Sequence, residues 1–420
     1  MIKIGDLQID KFYLGDTSDA KIYLGDVKVW PEEAHETYPY AFQRVSRGGS
    51  AYTVDCNSTS SNTITSGDTR RGLSKADISG STSDKTPVSV VFGDCCQTIG
   101  SDACRGLTYL TSVTISDNVT SLYKYSFYNT YRVEHLKIGS GITYMNQAFR
   151  DTGSSASTKP DLDLSANVGL TADDGSFEDC YFNNMVFPNN CTLSSGAFKH
   201  CSASTLSFGS GTIISDAGQI YSTFYLCNIP NIDLNGVTKI GIQAFDRLSG
   251  CISITIPPSV TTFSSYAFSG ASNLNSVTID YASNATLGYG QFAGVPITSL
   301  TIGSNPTIIP SGIFSGCTKL TSIVIPSNIS SIRSSAFNSC SGLTNLVIPS
   351  NISSIDNEAF FKCRGLTSIT VHSVTPPTLG SYVFDNTNDC PIYVPSESVD
   401  AYKAASGWSK YASRIQAIPT

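Results

Sequence analysis

Three phenylalanines, Phe314, Phe337 and Phe360, stand 23 residues apart, and their neighbours recur with them. Phe314 is followed by Cys317, Leu320, Ile323, Ile325, Pro326, Ile329 and Ile332. Phe337 is followed by Cys340, Leu343, Leu346, Ile348, Pro349, Ile352 and Ile355. A fixed period of this length marks a repeat array: one coil cannot bury its own apolar set, and stacking supplies the core. Further anchors are Phe127, Phe149, Phe177, Phe198, Phe224, Phe245, Phe268, Phe292 and Phe384, at spacings from 21 to 28 residues. The longest gap follows Phe149, where residues 153–158 read as a surface insertion. Cys104 stands at the anchor position 23 residues before Phe127, with Leu107 and Leu110 at the Cys and Leu positions. About thirteen coils are expected.

Within each coil the apolar residues alternate, as in Leu346-Val347-Ile348, so the first and third side chains face one way and the middle one the other. The inward rows predict a core of Phe127, Phe268, Phe314, Phe337 and Phe360 with Cys317, Cys340 and Cys363 beside them. The outward row includes Thr114, Lys137, Thr255, Thr278, Thr301, Val324 and Val347. It is weakly polar and β-branched, which suits a strand surface and equally a contact platform. Tyr123, Tyr125, Tyr128 and Tyr131 crowd one coil and are candidate contact anchors.

The text Ala336-Phe337-Asn338-Ser339-Cys340-Ser341-Gly342-Leu343, followed by Ile348-Pro349-Ser350-Asn351-Ile352 and Ile355, resembles the BspA-type leucine-rich repeat family. The resemblance covers about residues 88 to 395. It implies a mainly β repeat solenoid and a role in adhesion. The coils from Phe177 to Phe245 depart from the pattern, as in Ser207-Phe208-Gly209, where the Ile-Pro step is missing.

Four segments follow: a small β attachment module at 1–31, a linker and β cap at 32–87, the solenoid at 88–390 and a C-terminal cap at 391–420. In the first, Gly5-Asp6, Gly15-Asp16 and Gly25-Asp26 recur every ten residues as turn signals between apolar runs, predicting a β-meander. This segment resembles the attachment modules of phage and prophage tail-associated proteins. In the last, Ser396 reads as a helix N-cap and Gly407 as the stop, with Val399, Tyr402, Trp408, Tyr411 and Ile415 covering the final coil. Trp408 has a functional alternative as a ligand-stacking platform.

A net charge of −7 and a pI near 5.1 argue against a nucleic-acid partner. No window approaches the apolar length of a membrane span, and the N-terminus has no apolar signal region, so a secretory signal peptide is not expected in this text: either it was removed or the protein leaves the cell by another route. The thirteen cysteines mostly follow the repeat, which predicts buried, unpaired thiols; Cys56, Cys95, Cys191, Cys251 and Cys390 lie off the main register. The four histidines are scattered, and His200-Cys201 lacks ligand spacing. Neither phosphate-loop nor nucleophile-elbow motifs occur. No catalytic residue, cofactor or metal is therefore assigned.

These readings converge on a non-enzymatic recognition protein. The leading expectation is a phage virion protein that meets host surface protein or glycan, docked to tail components through residues 1–31. The alternative is a bacterial cell-surface or secreted adhesin; an enzyme acting on surface glycans is the third class. A homo-oligomer is a further expectation for the virion setting.

Overall fold

The computed structural model describes residues 97–156, 158–218 and 221–419, and before residue 97 a set of short strands from Lys3–Ile4 to Val88–Phe92. The fold is a β-solenoid of the expected repeat class. Fourteen short strands, one per coil, run from Thr63–Ile64 to Thr378–Leu379. The chain divides into two compact units, Met1–Thr192 with His200–Ser204, and Leu193–Lys199 with Thr205–Thr420.

In the first unit Ala51–Asp55, Val88–Phe92, Leu110–Ile115 and His135–Lys137 form one parallel ladder, with Ala41–Arg44 added antiparallel at its start. Thr63–Ile64, Thr98–Ile99, Ser121–Leu122, Tyr144–Met145 and Thr171–Ala172 form a second. Both ladders thus reach upstream of residue 88. The strands flanking Gly5-Asp6 and Gly25-Asp26 pair antiparallel, Ile4 with Leu7 and Leu24 with Val27, as two-residue hairpin turns require. Gly15-Asp16, His35, Cys56 and Cys95 lie outside the described residues. After Phe149 the 153–158 insertion is tied down by Lys159, whose Nζ donates to the carbonyls of Gly153, Ser154 and Ala156.

The core is a file of rings. In the first unit Phe127 stacks on Phe149 at 4.9 Å. In the second, successive rings from Phe198 to Phe292 lie 4.8–4.9 Å apart and near parallel, close to the strand spacing of a sheet. The predicted core residues Phe127, Phe268, Phe314, Phe337, Phe360, Cys317, Cys340 and Cys363 are all fully buried, as is Cys104 at the disguised anchor.

The cysteines do more than fill space. Sγ of Cys317, Cys340 and Cys363 donates to the carbonyl of the preceding coil's anchor, Phe292, Phe314 and Phe337, at 3.3, 3.1 and 3.1 Å. Thr152 occupies the same position and donates its hydroxyl to the Phe127 carbonyl at 3.3 Å. In these coils the position holds a small side chain with a donor, whereas Leu248, Ala271 and Val295 fill it without one. Burial pushes the Cys340 thiol up to about 12, so it stays protonated and inert. All ten described cysteines are buried, including the off-register Cys191, Cys251 and Cys390.

The turn carrying each anchor also imposes a left-handed backbone two residues after the ring and, at every anchor but Phe224, two residues before it. Glycine satisfies it at Gly290 and Gly294, but Tyr266, Leu226 and Lys362 are held there at φ 55°, 54° and 59°. L-residues adopt this region at a cost of about 1–2 kcal/mol.

In the second unit proline sets where the ladders stop. The residue that closes each strand normally donates its N–H to the preceding coil: Asp280 to Ile256, Gly303 to Ile279, His372 to Ile348. Pro257, Pro326 and Pro349 occupy that position without a donor. The ladder of Ser253–Ile256, Ser276–Ile279 and Ser299–Ile302 begins at Pro257 and ends before Pro326; pairing resumes with Asn345–Ile348, after Pro349 closes it to the coil before. Pro395 has a weaker effect, leaving Ile392–Val394 paired through two residues to the coil before. In the second ladder Pro310 takes the position from which Ser264, Gly288 and Arg333 donate, and Thr286–Leu287 and Ile308–Ile309 fall in different sheets. The alternating text Ile323-Val324-Ile325 reads as a strand and is not one. Its inward isoleucines keep their burial, but the backbone between two proline-closed positions joins neither neighbour.

At the C-terminus Ile415–Ala417 adds to Ile392–Val394, and a short helix, Val399–Ala404, lies across the end. Ser396 does not cap this helix: its hydroxyl meets the Glu397 carboxylate at 3.2 Å, and Ser398 stands at the N-cap without a side-chain bond. Gly407 turns the chain at φ 81°. Trp408 and Tyr402 are fully buried, and the indole N–H donates to the Pro377 carbonyl at 2.8 Å. Burial rules out the stacking-platform alternative for Trp408. Tyr411 packs on Phe384 and Lys410 pairs with Asp385 at 2.6 Å.

Candidate binding surface

Alternation delivers the outward row to solvent. Lys137, Thr255, Thr301, Val324 and Val347 are exposed, and Thr114 and Thr278 are half-buried. Val324, beside the interrupted ladder, is 79 % exposed, the highest value among the large exposed apolar side chains. The Ser and Thr of Ser253–Ile256, Ser276–Ile279 and Ser299–Ile302 face outward in register, Thr255 beside Thr278 beside Thr301. Rows of hydroxyls and methyls at sheet spacing make a flat, weakly polar face.

The four candidate tyrosines behave differently from one another. Tyr123 is 43 % exposed. Tyr125 and Tyr128 are half-buried and already engaged: their rings lie 5.3 Å apart, Arg105 sits over both at 5.4 and 5.2 Å, and Lys124 and Arg150 flank them. Arg105 in turn pairs with Asp102 at 3.0 Å, and Arg150 with Glu178 at 3.2 Å. Such cation–aromatic contacts fix the surface of the coil and leave less ring for a partner. Tyr131 is half-buried.

The residues that complete Tyr123 were not singled out from the sequence. Tyr144 lies against it with ring centroids 6.0 Å apart and planes at 59°. The Tyr144 hydroxyl donates to Asp173 at 2.9 Å and accepts from the Asn146 amide at 3.3 Å. Burial first, and then the Asp173 carboxylate, push the Tyr144 phenol up, so it remains a neutral donor. In the second unit Tyr266 and Tyr289 form a comparable exposed pair at 5.8 Å, the Tyr289 ring lying over Gly312, where any Cβ would meet it at 2.4 Å. Among the described residues no group of three His, Cys, Asp or Glu side chains is placed to hold a metal ion, and no helix is long and apolar enough to cross a membrane.

A search of curated proteins finds no match. Among solved structures, a leucine-rich repeat protein from Bacteroides ovatus is similar, with 17 % identity and a TM-score of 0.53 over 91 % of this chain and 98 % of that one. A leucine-rich cell surface protein from Faecalibacterium prausnitzii aligns at 20 % identity and TM-score 0.31, covering 79 % and 93 % of the two chains. The pneumococcal vaccine antigen PcpA aligns at 13 % identity and TM-score 0.30, covering 95 % and 97 %. Residues 84–164, 171–294 and 285–403 match the model of the BspA type leucine-rich repeat region in six copies, so the chain belongs to the BspA-type leucine-rich repeat family.

Proposed function

We propose that this chain is a non-catalytic recognition protein acting as a bacterial cell-surface or secreted adhesin, whose target is a protein or glycan on a facing surface. The observation that carries the reading is the outward row: Thr255, Thr301 and Val347 present side chains to solvent from strands whose other face is core, and Lys137 and Val324 are exposed at the equivalent position of their own coils. A rigid, repeated face with small polar and β-branched side chains supports contact over an extended area, and family membership points the same way. Purified full-length chain is expected to bind intact bacterial or host cells saturably. Replacing Thr255, Thr278 and Thr301 together by Arg should weaken that binding without changing the far-UV spectrum. Absence of binding to every cell type tried would refute the reading, and release of soluble sugar from a surface glycan would refute its non-catalytic part.

The hairpins around Gly5-Asp6 and Gly25-Asp26 favour a second reading, in which residues 1–31 dock the chain to a virion. Incorporation into particles should then fail when residues 1–31 are removed; a truncated chain that still incorporates would exclude docking through this segment.

A further inference from the structure

We propose that Tyr123, Tyr144, Asn146 and Asp173 form a saccharide-binding subsite; the proposal rests on the adhesin reading and names the chemistry of its ligand. Tyr123, Asn146 and Asp173 are the same residue of three successive coils. Each follows a strand of the second ladder, and each donates its N–H to the coil before, to Ile99, Leu122 and Met145 at 2.9, 3.0 and 2.8 Å. The ladder therefore sets them in a column at about 4.8 Å per coil, the scale of one sugar ring and its substituents. Tyr144 begins the middle strand, in register with Ser121 on one side and Thr171 on the other, and ties the column together through its hydroxyl.

The chemistry fits a pyranose. Its apolar C–H face seeks the electron-rich face of an aromatic ring, and Tyr123 offers an exposed one. Its vicinal hydroxyls need planar groups with paired donors and acceptors, which an amide and a carboxylate supply. The carboxylate of Asp173 accepts from the Tyr144 hydroxyl, and a carboxylate's two oxygens can accept several bonds at once, from phenol and sugar together. The tilt of Tyr144 against Tyr123 and the hydrogen bonds on its hydroxyl hold the group in place before any ligand arrives, which lowers the ordering cost of binding. Arg105 and Lys124 sit over Tyr125 and Tyr128 instead, which leaves the Tyr123 corner suited to a neutral sugar.

The test measures binding of the full chain to intact cells, untreated, treated with periodate to cleave vicinal diols, or treated with protease. It adds a printed panel of neutral oligosaccharides as direct probes. The expected result is loss of cell binding after periodate, retention after protease, and binding to neutral members of the panel. Tyr123→Ala should weaken both readouts about tenfold, a step of about 1.4 kcal/mol, while Tyr123→Trp retains them. Asp173→Asn should weaken binding with unchanged thermal unfolding. Cell binding that survives periodate but not protease overturns the saccharide subsite and leaves the adhesin reading standing. Saccharide binding unchanged in Tyr123→Ala also overturns the subsite. No cell binding under any condition removes both.

Discussion

Thr298-Ser299-Leu300-Thr301-Ile302-Gly303 and Thr321-Ser322-Ile323-Val324-Ile325-Pro326 are nearly the same text one coil apart. The first forms a strand paired in register with Ser276–Ile279, closed by the Gly303 N–H on the Ile279 carbonyl at 2.8 Å. The second forms no strand. Around it the core loosens slightly: Phe292 and Phe314 stack at 6.0 Å against 4.9 Å for Phe268 and Phe292, and Ile302, Ile323 and Ile325 keep 9, 8 and 6 % exposure where Ile279 and Ile348 have none. Side-chain pattern and ladder are thus separable. Apolar periodicity places the core in both coils; a single backbone donor decides whether the strands join.

The largest expected effect lies in the ring file. Phe268→Ala, between two partners at 4.9 Å, should cost about 3–5 kcal/mol, and Phe314→Ala should fall at the low end of that range because its neighbours already stand farther off. Urea unfolding of the two variants measures the difference; equal costs would mean that the spacing carries no energetic meaning. Next comes the thiol column. Cys340→Ala removes both packing and the donor to the Phe314 carbonyl and should cost about 1–3 kcal/mol, whereas Cys340→Ser keeps the donor and loses less. A serine variant no better than alanine would reduce the cysteine to a space-filler.

Smaller effects probe the backbone directly. Leu226 is 41 % exposed and held at φ 54°, so Leu226→Gly should raise stability by about 0.5 kcal/mol, the relief of left-handed strain exceeding glycine's entropic cost. A lower melting temperature would show that the side chain contributes packing there. Pro326→Ala restores an N–H opposite the Ile302 carbonyl and should change global stability by less than about 1 kcal/mol, because the new bond and the more flexible unfolded chain offset. Its signature is slower amide exchange across 299–302.

The ring and thiol rows were legible in the sequence because a buried row demands the same chemistry in every coil. The aromatic lid was legible for the same reason: Tyr402, Trp408 and Tyr411 had to cover an open end. The left-handed positions were not, since glycine marks them at Gly290 and Gly294 while Leu226, Tyr266 and Lys362 hide them. The ladder breaks were hidden in plain text. Proline was part of the repeat, yet period-two alternation across Ile323 and Ile325 outweighed it. At the candidate surface the sequence supplied Tyr123 but not its companions. Tyr144 and Asp173 meet 29 residues apart because the 153–158 insertion lengthens one coil, which displaces Asp173 from the regular spacing.

The most direct test is native-state hydrogen exchange resolved over the second unit. Amides of Ser276–Ile279 and Ser368–Val371 should be strongly protected, and those of residues 322–325 should exchange faster by orders of magnitude, with fast exchange ending at Asn345–Ile348. Uniform protection from 276 to 371 would show that the strands join past Pro326 and Pro349, and the account of proline as the residue that closes the ladders of the second unit would fail.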